Sequence, residues 1–120
     1  MYISREEYNK RERFETNFDC DFDTFAERIN LPIGIMFLAK TSWGSEKLVK
    51  VQCEFAQIHF DIRECDETGE PLKYGYRRGY LHKREIAERL FEGDWKIYHH
   101  QTLRLSGEKH LTSAKFHEKN

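Results

Sequence analysis

Proline occurs only twice in 120 residues, and 38% of the chain is hydrophobic and 14% aromatic, so a proline-rich or disordered chain is excluded and a folded one expected. Long hydrophobic runs are missing too. The longest, Leu31 to Ala39, is interrupted by Pro32 and Gly34 and falls well short of the roughly 20 residues a membrane-spanning helix needs. The opening residues, Met-Tyr-Ile-Ser-Arg-Glu-Glu, turn charged at once and do not read as a secretory signal. Cysteine is scarce: Cys20, Cys53 and Cys65 are odd in number, far apart and without a Cys-x-x-Cys spacing. That excludes a disulfide framework and a zinc ribbon, and it points to a reducing, cytoplasmic compartment. An excess of positive charge is also lacking, since 20 Lys and Arg stand against 21 Asp and Glu for a net charge of −1. A wholly electrostatic nucleic-acid binder, with a domain pI above about 9, is disfavoured.

The chain does carry strong periodicity. Ser4 followed by Glu7 fits a capping box ahead of a short helix over 5–14. Its apolar stripe is thin, so residues 1–16 read as an N-terminal helical arm. Phe22, Phe25, Ala26 and Ile29 recur on one helical face closed by Pro32, and the apolar segment 33–39 reads as a buried central strand. Between Lys47 and Cys65, Val49, Val51, Cys53 and Phe55 hold one parity and Ala56, Ile58, Phe60 and Ile62 the other. This change of phase predicts a β-bulge near Phe55–Ala56, or two strands joined at a bend. A loop over 66–71 then leads to a strand over 72–81. Ile86, Ala87, Leu90 and Phe91 mark a helix stopped by Gly93, and a last strand runs from Trp95 to Leu105. The order predicts an α+β fold: a mostly antiparallel sheet of about four strands with two or three helices on one face. Residues 17–106 form the single domain, and 107–120 a polar tail.

Three constellations invite chemistry. Asp19, Asp21 and Asp23 open like a calcium-binding loop, but Thr24 replaces the glycine at its sixth position and Asn30 the glutamate at its twelfth, so helix capping is the better account. His59 with Asp61, together with His99 and His100, suggests a metal-dependent hydrolase or nuclease site, although no zinc-ligand spacing accompanies them. The most distinctive segment is Lys73-Tyr74-Gly75-Tyr76-Arg77-Arg78-Gly79-Tyr80, followed by Lys83 and Arg84. On one strand, Tyr74, Tyr76, Arg78 and Tyr80 share a face, an aromatic row with an arginine inside it. Protein interfaces use Tyr and Arg as hot spots, and single-stranded nucleic-acid binders stack bases on such rows.

These observations favour binding over catalysis, with no cofactor. The leading expectation is that Lys73, Tyr74, Tyr76, Arg77, Arg78, Tyr80, Lys83 and Arg84 dock on an acidic surface of a larger protein and inhibit it. In size and surface character the chain is similar to the compact accessory proteins of phages and mobile elements. Binding of single-stranded or structured nucleic acid by the same residues is the first alternative, and the His/Asp hydrolase the second.

Overall fold

The computed structural model describes residues 4–16, 18–40, 45–55, 58–98 and 104–105. In chain order its elements are α1 (Arg5–Asn9), α2 (Phe22–Arg28), β1 (Ile29–Asn30), β2 (Met36–Lys40), β3 (Glu46–Phe55), β4 (His59–Glu64), β5 (Arg77–His82), α3 (Lys83–Glu92), β6 (Trp95–Ile97) and β7 (Arg104–Leu105). The alternating segments pair into a five-stranded antiparallel sheet of order β5-β4-β3-β2-β6, while β1 and β7 form a separate antiparallel pair. The fold is α+β, with one strand more than anticipated because the long alternation from Lys47 to Cys65 divides into β3 and β4.

Strands β5 and β6 run parallel at opposite edges of this sheet, so the chain must cross its full width between them. Helix α3 makes the crossing, its ten residues reaching about 15 Å of the roughly 19 Å that four inter-strand spacings span. Its apolar residues Ile86, Ala87 and Leu90 are spaced to share one face. They pack with Phe25 and Ala26 of α2 onto Phe37, Val49, Val51, Ile62, Leu81 and Trp95. Rings of Phe18, Phe22, Phe25 and Phe91 fill the seam between the two helices, with centroids 4.6 to 5.9 Å apart. The helices therefore share one face of the sheet, which is called the inner face below. No described helix is long and apolar enough to cross a membrane.

Capping follows the sequence at Ser4 and Asp21, but the capping box that Thr24 and Glu27 also spell does not form, because α2 starts at Phe22 and Thr24 lies inside it. Ser4 Oγ accepts from the Glu7 amide, and Asp21 Oδ1 accepts from the Thr24 amide at 2.8 Å, the role read for this acidic cluster. His82 and Glu85 form a reciprocal capping box on α3, and Gly93 closes it in the left-handed conformation. The bond from Thr24 holds the Asp21 carboxyl below its ordinary pKa, and bonds from the Thr68 hydroxyl and the amides of the following turn do the same for Asp66. Because both folded-state values lie below the unfolded ones, their contribution is complete above the ordinary aspartate value of about 3.9 and is lost as pH falls through the folded values. Denaturant melts on either side of that range should show stability falling with acid, with a shallower fall in Asp21→Ala.

The N-terminal segment is fastened rather than trailing. Helix α1 stops at Asn9, short of the expected residue 14, and the chain beyond it runs along the α3–β6 turn. Arg11 binds both carboxylate oxygens of Asp94, at 2.6 and 3.0 Å, as well as Glu92 and the Tyr8 carbonyl. The hydrogen bond to Asp94 raises the Arg11 pKa further. Phe14 N donates to the Gly93 carbonyl at 2.6 Å and Thr16 Oγ1 to the Phe91 carbonyl. Since the Arg11 side chain is only 10% exposed and its loss strands Asp94, Arg11→Ala should cost about 2 kcal/mol in a urea titration. The predicted final strand is interrupted: β6 ends at Ile97, residues 99–103 lie outside the described residues, and β7 pairs with β1 instead.

Candidate functional site

Asp61 lies in the middle of β4, and both neighbouring strands carry an extra residue opposite it. On the β3 side, Val51 pairs with Ile62 but Cys53 with Asp61, so Gln52 is the inserted residue. On the β5 side, Ile62 pairs with Arg78 but Phe60 with Leu81, so Gly79 and Tyr80 together face Asp61. Strand β3 ends at Phe55 and β4 starts at His59, the two strands that the change of phase allowed, while a separate bulge falls three residues earlier at Gln52. Its effect is that Cys53 and Phe55, which share parity with the core residues Val49 and Val51, turn to the outer face of the sheet beside His59 and Asp61. Tyr80 adopts φ 65°, a left-handed conformation that L side chains rarely take.

The stretch preceding β5 is not strand. Leu72 N donates to the Glu64 carbonyl and Glu64 N to the Tyr76 carbonyl, while the Tyr76 amide binds the Glu64 carboxylate at 2.9 Å. Residues 73–75 are therefore looped out from a single anchor. Gly75 is required at the neck, because a Cβ there would lie 2.8 Å from the Glu64 Cβ. This excursion leaves the Tyr74 ring 90% exposed.

The aromatic row read on one continuous strand is accordingly corrected to three placements. Lys73, Tyr74 and Tyr76 belong to the loop; Arg78 pairs with the core residue Ile62 on the inner side of the edge; and Arg77 and Tyr80 lie on the outer side. The bulge at Gly79 and Tyr80 is the physical reason Arg78 and Tyr80 part company. The tyrosines are exposed, Tyr80 at 67% and Tyr76 at 38%, but Tyr76 lines a cleft on the inner side rather than sharing a face with Tyr80. Lys83 and Arg84 turn away to α2, where Lys83 Nζ donates to the Glu27 carbonyl at 2.6 Å and Arg84 pairs with Asp23 and covers the Phe22 ring.

Phe55, which sequence reading did not assign to the site, joins it. The Phe55 ring, from β3, meets the Tyr80 ring, from β5, at 5.0 Å, so the two rings close over the intervening β4. Nothing local to Phe55 signals this, since it follows from the bulge. Arg77 reaches Asp61 Oδ2 at 3.4 Å while its side chain stays 65% exposed, and Arg78 has no ion-pair or hydrogen-bond partner among the described residues. The two histidine rings of His59 and His82 meet edge to face at 5.1 Å. Among the described residues no three His, Cys, Asp or Glu side chains are grouped to hold a metal; His99 and His100 lie outside them.

A cleft of about 550 Å³ opens on the inner side between α1, α3 and strands β2 and β3, with Trp95, Ala39 and Val49 among its walls. Its cations are already engaged: Arg11 by Asp94, Lys40 by Glu12, Lys47 by Glu64, and Arg89 by the Glu85 carbonyl and the Trp95 ring. The cleft offers shape without an uncommitted positive group, and Tyr76 of the loop lines its rim. The chain matches no protein family, and no match to it is found among curated proteins or solved structures.

Proposed function

We propose that this protein acts by binding, docking the 72–76 loop and the β5 edge on an acidic surface of a larger protein and occluding it. The observation that carries this reading is the exposure of large apolar side chains on the 72–76 loop and on the edge strand β5. Of the eight large hydrophobic residues exposed among the described residues, Leu72, Tyr74 and Tyr76 belong to the loop anchored at Glu64, while Phe55 and Tyr80 meet over the other end of β4; Ile58, Tyr8 and Ile33 lie outside these two groups. Single exposed hydrophobics need no explanation, whereas two tyrosines on one loop and a paired Phe55–Tyr80 face do. The cations among them are Lys73, whose ammonium lies 5.5 Å from the centre of the Tyr74 ring, the exposed Arg77, and Arg78, whose side chain has no ion-pair partner among the described residues. Such a surface complements a negative one.

Docking through side chains is favoured over addition of a strand, because the bulge and the left-handed Tyr80 interrupt the ladder that an incoming strand would extend. The test is affinity capture with the wild-type chain and with the Tyr74→Ala/Arg78→Ala variant side by side. A protein retained by the first, lost by the second and released by salt supports the reading. Labelled single-stranded oligonucleotides are tested in parallel by fluorescence anisotropy. Tight binding there, with log affinity falling linearly in log salt, would replace the protein partner with a nucleic acid.

A further inference from the structure

Asp61 is only 3% exposed, yet it stands on the outer face of the sheet and its carboxylate is poorly matched. Oδ2 meets only the exposed Arg77 at 3.4 Å, a long contact, and Oδ1 has no hydrogen-bond partner among the described residues. Two more buried polar atoms share this condition, Gln52 Oε1 and His59 Nδ1, and both belong to residues flanking Asp61. Buried polar groups are nearly always paired, and a buried charge without good partners lowers stability. An orphan carboxylate oxygen, with two further orphan atoms on the residue bulged opposite it and on the residue two before it in β4, where two bulges converge and one residue adopts a left-handed backbone, is a concentration of local cost that folding alone does not explain.

The geometry points to a subsite for a guanidinium group, with Asp61 at its floor, Gln52 and His59 at its walls, and the Phe55 and Tyr80 rings as its roof. The assignment follows from the chemistry of those parts. An ionised carboxylate only accepts hydrogen bonds, and its two oxygens can accept from more than one guanidinium. Arg77 is a precedent within the chain, since its guanidinium already approaches Oδ2 and leaves Oδ1 open. Aromatic faces attract cations, and a guanidinium stacks on them where an ammonium does so less well. Parting the Phe55–Tyr80 pair opens the way in. Arginine from a docked partner is the source, so that an otherwise acidic partner surface contributes one basic side chain to the centre of the contact. This source rests on the docking reading proposed above, but the subsite itself does not.

The test is a titration of the isotope-labelled full chain with N-acetyl-arginine amide, followed by NMR, with guanosine monophosphate in a second arm. The amides of Gln52, Cys53, Asp61, Gly79 and Tyr80 should shift together and saturate at millimolar concentration. Asp61→Asn should weaken that binding by about tenfold or more, as loss of a charge-assisted pair implies, while leaving the melting temperature equal or higher. If Asp61→Asn does not fold, Gln52→Leu decides, and a several-fold loss is expected. Absence of shifts, shifts unaffected by either variant, or stronger binding of guanosine monophosphate at the same amides would each overturn the assignment. Because no partner is used, failure here leaves the docking reading standing, and failure of protein capture leaves the subsite standing.

Discussion

Gly93→Ala is expected to destabilise the fold by about 3–4 kcal/mol, one of the larger effects a single methyl group can have. Two penalties combine. Gly93 closes α3 at φ 85°, where a Cβ costs about 1–2 kcal/mol in steric strain. The added Cβ would also collide with the Phe14 carbonyl oxygen and crowd the Arg13 Cβ at 3.3 Å. Relief by moving the N-terminal segment is blocked, because Phe14 N donates to the Gly93 carbonyl and Arg11 clamps Asp94 one residue further on. Gly34→Ala supplies the control. Gly34 has a similar φ of 95°, but an added methyl group there would meet nothing within 4 Å, so only the conformational cost of about 1–2 kcal/mol should remain. Urea titrations of the two variants measure the difference, and equal losses would show that the N-terminal segment yields easily.

The second large effect concerns binding. Tyr74→Ala/Arg78→Ala should weaken the partner interaction at least about 100-fold, since truncating hot-spot Tyr and Arg residues commonly costs about 2 kcal/mol or more each. Stability should change by less than about 0.5 kcal/mol, because the Tyr74 ring is 90% exposed and Arg78 is unpaired among the described residues. Arg84→Ala should behave in the opposite sense. Its pair with Asp23 is solvent-exposed on both sides, worth about 0–1 kcal/mol to stability, and it faces α2 rather than the β5 edge, so binding should be nearly unchanged. Isothermal titration against the captured partner, with thermal melts of the same samples, separates these outcomes. Equal binding losses in the two variants would mean that the contact extends onto α2 and α3.

The sheet face opposite the helices shows why these effects do not follow from composition. Lys50 pairs with Arg63 and Arg63 with Arg77 across three adjacent strands, although like charges directly opposite one another are unfavourable in a sheet. Overall charge near neutrality conceals this segregation. An acidic turn, in which Asp66 accepts from Thr68, Gly69 and Glu70, follows β4 in the chain.

What the sequence by itself determined was local. Period-2 alternation marked β3 and β4, helical spacing marked α2 and α3, and Ser4, Asp21 and Gly93 marked helix ends, because each of these depends on residues within a turn or two of one another. From those elements the α+β class followed. Tertiary structure alone decided which of the conspicuous residues are presented together. A bulge is set by the register between strands, so the inserted Gln52 and the Gly79–Tyr80 pair could not be located from alternation within one strand. The 72–76 segment reads as strand by its residues and becomes a loop because both of its ends bind Glu64. Lys83 and Arg84 continue the basic run in sequence, but the start of α3 rotates them to Glu27 and Asp23, some sixty residues earlier in the chain. Contacts between distant segments have no fixed sequence spacing, and it is these that assemble the surface at the β5 edge.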